Sequence, residues 1–365
     1  MSAAGLWLGR LRLRSSALLC PLEGVSDCGF RSVCYRLGAG LTFTEMIHAH
    51  ALHRGNTAAW DLLDTYDAHT LTGLQLLCSC PDLLLSTLQA LERAAASGAH
   101  PYLFNIRAID LNFGCPAPEV VQAGAGPALL HRRSRVRALM QVLARWREGN
   151  TLGVLAVGAK LRLGLNAGEA AQAVYAGACT SAAEEGLDWV TLHARHAGAR
   201  SSAPPDWRTF EVARRALEAA GGGGGGGQPG RPMLIANGDV RSRQERDALM
   251  RWGAVDGVML GRAAMRNPWL FSELMEEQPQ LSGGEMERGG SAPSPPTGNS
   301  WIGGKWPTPE QATAAAAEWR GWASVGRGTR SKHRAYHERE WARLALPAGG
   351  ATARIARVPR SVHMP

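Results

Sequence analysis

The chain has 365 residues, 45% of them hydrophobic, with 40 Lys and Arg against 31 Asp and Glu and a formal net charge of +9. That is enough apolar material for a large core, and the length fits one large domain plus something smaller, or two domains. No apolar stretch is long enough and free enough of charge to span a bilayer as a helix, so the chain reads as a soluble protein. The basic balance suits a polyanion such as RNA, although Arg-rich composition alone also produces it.

Residues 1–15 read as an N-terminal extension. Met1 to Ser16 carries three Arg and no acid, so it is either a short organelle-targeting segment or a ragged start. The expected location is accordingly cytoplasmic, or organellar if the segment is a targeting peptide. Seven scattered cysteines, with one residue between Cys78 and Cys80 and no CxxC, match neither a zinc site nor a disulfide framework. They point to a reducing compartment and to no metal.

Eight strand-like apolar runs follow in chain order: Ser16–Cys20, Leu41–Glu45, Leu71–Leu77, Ile106–Asn112, Gly153–Leu163, Leu187–His193, Pro232–Asn237 and Val255–Gly261. Between them Ala, Leu, Arg and Glu recur at helical spacing, as in Asp82–Ala96, Ser134–Glu148, Ala167–Glu185, Trp207–Ala220 and Ser242–Trp252. Eight alternating units in roughly 250 residues are the size of a (β/α)8 TIM barrel, though a doubly wound sheet alternates in the same way. The placement of chemistry-bearing residues favours the barrel. Glu23 follows the first run, Glu45 ends the second, Gln75 lies near the end of the third, and Asn112 and Cys115 follow the fourth. Lys160 and Arg162 lie in the fifth, His193 ends the sixth, Asn237-Gly238 the seventh and Gly261-Arg262 the eighth. A barrel gathers all eight ends around one mouth; an open sheet spreads them along a line.

The expected α/β barrel domain therefore covers 16–276. The Gly221–Gly227 run reads as an insertion at the opposite face, and Gln280–Gly304, rich in Gly, Ser and Pro, as a linker within 277–306. A small helical region that reads as truncated follows at 307–346. Its first helix is predicted over Glu310–Ala323 with Thr308 as N-cap, and a second over His333–Leu346. From Arg327 onward nine Lys or Arg stand against two Glu, and Pro347–Pro365 reads as an unstructured tail.

Four segments carry candidate chemistry. In Ile109-Asp110-Leu111-Asn112-Phe113-Gly114-Cys115-Pro116 a strand ends, Gly114 permits a turn and a thiol is presented as nucleophile or acid. The loops at Asn237-Gly238-Asp239 and Gly261-Arg262 are where TIM barrels often build a phosphate site, with Arg262 as a bidentate cation. Lys160 and Arg162 share a strand face and are predicted to point inward, where Lys160 would neutralise a flavin or a phosphate, or form a Schiff base. His193 and Arg195 stand at the mouth, and Gln75 is placed to hydrogen-bond a heterocycle edge or a neighbouring strand.

In these stretches the chain resembles the tRNA-dihydrouridine synthase family. The matching segments are Pro21-Leu22-Glu23-Gly24-Val25-Ser26-Asp27, Thr44-Glu45-Met46-Ile47, Asn112 to Pro116, Lys160 to Gly164, His193-Ala194-Arg195, Asp206-Trp207, Ile235 to Asp239, and Gly261-Arg262 through Asn267-Pro268. They occur in family order across about residues 16–272, and Pro21-Leu22-Glu23 with Trp306-Pro307 leans toward the C-type bacterial branch. The resemblance implies FMN in the barrel mouth, reduced by NADPH, hydride delivery to C6 of a uridine in tRNA, and Cys115 as proton donor to C5. It further implies that Pro21, Leu22, Glu23, Gln75, Lys160, His193, Asn237, Gly238, Asp239, Gly261 and Arg262 contact FMN. Asn112, Arg162 and Arg195 would meet the uridine or nearby phosphates. The target base must leave its stack to react. The expected partner is tRNA, and the expected state a monomer.

Two departures stand out. Ala117-Pro118-Glu119 replaces a segment that often carries a Lys in the family, and the basic C-terminal helical region at 307–346, which by the resemblance would bind tRNA, is interrupted. They keep alternatives open: a flavin barrel reducing a small pyrimidine or enone, a catalytically idle RNA-binding barrel, and, more distantly, a flavin-free aldolase using Lys160.

Overall fold

Each apolar run forms one strand of a single parallel sheet. The strands are β1 (Ala17–Leu19), β2 (Thr42–His48), β3 (Thr72–Leu77), β4 (Ile106–Phe113), β5 (Ala156–Arg162), β6 (Trp189–His193), β7 (Met233–Asn237) and β8 (Gly257–Leu260). Neighbours in sequence pair from β2 to β8, and β8 pairs with β1. The circuit closes where Gly40 N donates to Ala17 O at 2.8 Å and Leu19 N to Leu41 O at 2.9 Å. This is the (β/α)8 barrel. The computed structural model describes residues 6–220, 231–252, 254–275, 307–325, 337–340 and 342. The Gly221–Gly227 run, the 277–306 linker with Gln280–Gly304, the Pro347–Pro365 tail and most of the basic stretch after Arg327 lie outside the described residues.

The outer helices form where the periodicity places them. Pro81–Ala96 starts with Pro in its first turn and turns Leu84, Leu88 and Leu91 inward. Arg133–Gly149 buries Val136, Leu139, Met140 and Leu143 in the same way. The segment predicted as one helix over Ala167–Glu185 is two, Ala167–Ala171 and Val174–Glu184, separated where Ala173 takes a left-handed φ of 52°. No Gly or Pro marks that break, so periodicity runs through it. β2 also continues past Glu45 to His48. Glu45 therefore lies within the strand, and its carboxylate accepts from Gly24 N at 2.7 Å. Helix Cys28–Arg36, absent from the predicted set, links β1 to β2 and is capped by Asp27, whose side chain accepts from Phe30 N.

The barrel is filled by large side chains facing glycines. Trp189 lies over Gly158, where a Cβ would come within 2.1 Å of the indole, and Phe43 lies over Gly73, where the approach would be 2.6 Å. The two rings meet with centroids 6.1 Å apart. Such large-to-small matching fills a barrel interior without voids. Residues of the expected N-terminal extension seal the end where the strands begin. Trp7–Leu8 pairs antiparallel with Leu11–Arg12, and Leu8, Leu11 and Leu13 are buried.

The C-terminal helix is Pro309–Val325. Thr308 is its cap as predicted: Thr308 Oγ1 accepts from Gln311 N at 3.2 Å, and Gln311 Oε1 accepts from Thr308 N at 2.9 Å. Of the second predicted helix, 337–340 and 342 are described and helical. These elements pack on helix Cys28–Arg36. Trp319 is fully buried and donates to Asp27 Oδ2 at 3.2 Å, and Glu318 accepts from Ser32 Oγ at 2.9 Å. His337, also buried, lies tilted against Trp319 with ring centroids 5.0 Å apart. Among the described residues no helix is long and apolar enough to cross a membrane.

Candidate active site

Every residue expected to act in catalysis or to contact cofactor or substrate lines one cavity of about 300 Å³ at the end of the barrel where the strands terminate; Glu45, the strand-end residue of the second run, does not. The loop after β1 brings Pro21, Leu22 and Glu23; β3 brings Gln75; β4 and its turn bring Asn112 and Cys115. Lys160 and Arg162 both point inward from β5, as their shared face requires. His193 and Arg195 come from β6, Asn237, Gly238 and Asp239 from β7, and Gly261 and Arg262 from β8.

Cys115 is held by its backbone. Asn112 Oδ1 accepts from Gly114 N at 2.9 Å and from Cys115 N at 2.8 Å, and Arg162 Nε donates to Gly114 O at 2.8 Å. The thiol is 2% exposed. Burial pushes it above its ordinary range, and Glu23 and Glu119 act in the same direction against the Ala117 backbone and Arg162. A thiol in that setting stays protonated at neutral pH, which suits an acid and disfavours a thiolate nucleophile.

His193 is neutral. Burial drives it well below the usual histidine value, and the charges of Arg162, Lys160, Arg195 and Arg262 add to the shift. Arg195 Nη1 lies 3.3 Å from His193 Nε2. An arginine can only donate, so Nε2 is the acceptor and Nδ1 carries the proton. Arg162 itself is lowered to about 10 by burial and by Arg195.

Asp239 lines the cavity, but its carboxylate faces arginines. Arg195 and Arg262 both contact it, and Arg241 Nη2 donates to Oδ2 at 2.9 Å. Burial alone would raise this carboxyl; the hydrogen bond from Arg195 and the three positive charges outweigh it and hold it below the ordinary range. Arg262, predicted as a bidentate phosphate cation, gives Nη2 to Asp239 and Nη1 to Ser201 O at 2.7 Å. Asn112, predicted to meet substrate, spends its oxygen on the Cys115 turn and donates from Nδ2 to Gln75 Oε1 at 2.8 Å.

Cys20, Met46, Arg241 and the stretch around Ala197–Ser201 also line the cavity and escaped the sequence reading. Cys20 directly follows β1, so the strand-end rule that found the others was sufficient to find it. Arg241 carries no such signal. Its place depends on the left-handed turn at Gly238 and Asp239, with φ of 125° and 52°. Among the described residues no group of three or more His, Cys, Asp or Glu is arranged to hold a metal.

The family model described as Dihydrouridine synthase (Dus) matches residues 18–286. A protein named probable tRNA-dihydrouridine synthase from Mycobacterium tuberculosis (strain CDC 1551 / Oshkosh) is 29% identical over 297 residues, covering 80% of this chain and 67% of its own length. A human protein named tRNA-dihydrouridine(47) synthase [NAD(P)(+)]-like is 29% identical over 274 residues, and one from Coprinopsis cinerea named tRNA-dihydrouridine(47) synthase [NAD(P)(+)] is 28% identical over 269. Both matches cover 74% of this chain, which spans 37% of the length of each relative. Among solved structures, 6-hydroxypseudooxynicotine amine oxidase from Pseudomonas geniculata N1 superposes with a TM-score of 0.52 at 12% identity, over 74% of this chain and 48% of that one. That likeness concerns the fold alone. With the barrel, the clustered strand-end residues and the match over 18–286, the chain belongs to the dihydrouridine synthase family.

Proposed function

We propose that this chain is a flavin-dependent tRNA-dihydrouridine synthase that reduces the C5–C6 double bond of a uridine in tRNA. FMN is its cofactor, NADPH its reductant and Cys115 its acid. The observation that carries the reading is Cys115, a buried thiol on a turn held by Asn112 and Arg162, lining a cationic cavity.

The residues present fit FMN. Lys160, Arg162, Arg195, Arg241 and Arg262 line the cavity against the carboxylates of Glu23 and Asp239, an excess of positive charge suited to a phosphate and an electron-rich ring. Leu22, Met46 and Met259 supply apolar wall for a planar heterocycle. Gln75 and Asn112 each retain an N–H beyond the bonds described, so together with Lys160 they would offer donors to ring oxygens and nitrogens. Backbone groups at Gly238 and Gly261 would hold the phosphate, in the field of Arg262, whose Nη atoms bond Asp239 and Ser201.

When bound, FMN supplies the hydride for C6. Cys115 gives its proton to C5. Burial keeps that proton in place until substrate arrives, and Asn112 fixes where it is delivered. Neutral His193 adds a donor at Nδ1 without adding charge. Arg162 and Arg195 extend the positive field toward the RNA backbone.

The test is a visible absorption spectrum of the purified protein, followed by NADPH under anaerobic conditions and then unmodified tRNA. A flavin spectrum that bleaches with NADPH and recovers with tRNA, with dihydrouridine appearing in the tRNA, is expected. Recovery with free uridine or an enone but not with tRNA would replace this reading by a small-molecule reductase.

A further inference from the structure

Below the cavity wall lies a carboxyl that the reaction does not call on. Asp110 in β4 is fully buried. It pairs in register with Gln75 of β3 on one side and Gly158 of β5 on the other. Gln75 Nε2 donates to Asp110 Oδ2 at 2.7 Å. Gln75 Oε1 accepts from Asn112 Nδ2 at 2.8 Å, and Asn112 Oδ1 accepts from the backbone N–H groups of Gly114 and Cys115. Three side chains and a turn therefore form one continuous hydrogen-bonded line from the barrel interior to the thiol.

The line has a fixed polarity. At one end, backbone N–H groups can only donate, so Asn112 must turn its oxygen to them and its NH2 to Gln75. At the other end Asp110 Oδ2 is the acceptor, so Gln75 turns its NH2 to Asp110. Each end enforces the orientation that the other requires. Without the carboxylate, the Gln75 amide loses the constraint that points its oxygen at Asn112. Asn112 then loses the acceptor that keeps its own oxygen on the Cys115 turn. Burial raises the Asp110 carboxyl to about 7, opposed by Gln75 and by the charge of Lys160 on the adjacent strand. Lys160 thus helps keep the acceptor form.

The geometry points to Asp110 as a positioning residue of this site: through Gln75 and Asn112 it fixes the turn that presents the Cys115 thiol. It touches neither substrate nor cofactor in this assignment. Its consequence for turnover rests on the reading of Cys115 as proton donor; its consequence for the thiol does not.

The test uses the full-length protein as purified and measures the rate at which iodoacetamide alkylates Cys115, resolved from the other cysteines by peptide mass mapping. Asp110→Leu, which has no acceptor for Gln75 Nε2, is expected to speed alkylation about tenfold, the order expected for losing a hydrogen bond to a charged group. The swap Asp110→Asn with Gln75→Glu restores the line, because the carboxylate then sits at its middle and accepts from the amide on either side. It is expected to return the rate to within about threefold of the parent. An unchanged rate in Asp110→Leu overturns the proposal, even if its melting temperature falls, since a merely structural carboxyl would lower stability alone. A swap no slower than the single variant overturns it as well. Should Asp110→Leu fail to fold, amide hydrogen exchange on the unmodified chain decides. Gly114 and Cys115 amides protected like those of β4 support the line, and exchange as fast as in an exposed loop overturns it. If Cys115→Ala still reduces tRNA, the acid reading falls while the alkylation result stands.

Discussion

Replacing Asp239 by Asn should destabilise the barrel through charge alone. Asn tolerates the left-handed φ of 52° at this position, so the substitution adds no backbone strain. It removes the one carboxylate shared by Arg195, Arg241 and Arg262, whose side chains are 3%, 9% and 25% exposed. Removing one partner of a buried ion pair costs about 3–5 kcal/mol, because the remaining charge is left buried. The partial exposure of Arg262 screens its share, so we take the lower end, ~3 kcal/mol. For a domain of this size that lowers the melting temperature by roughly 6–12 °C. The assay is thermal unfolding followed by circular dichroism at pH 7, repeated with added inorganic phosphate, which should recover part of the loss by taking the place of the carboxylate among the arginines. The sign with pH is set by the depressed carboxyl. Its contribution is present above the unfolded value near 3.9 and is lost as pH falls through the folded value, so the gap between parent and variant should close below about pH 4. A melting temperature within about 2 °C of the parent at pH 7 would refute the reasoning, since it corresponds to no more than about 1 kcal/mol.

Cys115→Ala should lower dihydrouridine formation by about 10²–10⁴-fold, the usual contribution of a general acid, with bleaching by NADPH retained; mass spectrometry of digested tRNA reads the product. Because the thiol lies above its ordinary range, parent activity should hold through neutral pH and fall only on the alkaline side, as the thiol loses its proton. Gly158→Ala places a methyl against the Trp189 indole and should cost about 1–3 kcal/mol, measured by urea unfolding. Trp319→Ala should cost about 3–5 kcal/mol at the contact between helix Pro309–Val325 and helix Cys28–Arg36, and earlier tryptic cleavage within Pro309–Val325 would report the undocking. His337 in the same contact is lowered by burial, against Asp27, the Val25 carbonyl and Glu340. Its contribution should therefore be lost as pH falls below the unfolded value near 6.5, and amide hydrogen exchange within Pro309–Val325, corrected for its intrinsic pH dependence, should be faster at pH 5 than at pH 7.

The barrel was legible in the chain because local physics produces it. Eight apolar runs alternate with amphipathic segments, and each run became one strand within a few residues of its expected bounds. The period of two also told that Lys160 and Arg162 share a face, and the strand-end rule brought Cys115, His193 and Arg262 to one mouth. What sequence could not decide was every relation set by closure. Only the closed sheet sets Asp110 beside Gln75, 35 positions away in the chain. Only the left-handed turn at Asp239 brings Arg195, Arg241 and Arg262 onto one carboxylate, and so commits an arginine predicted for phosphate to a protein partner. The break at Ala173 and the docking of Trp319 on Asp27 belong to the same class. Periodicity records which face of an element is apolar; it does not record which distant side chain will meet a given polar atom there, because that pairing is decided by register and packing across the whole sheet.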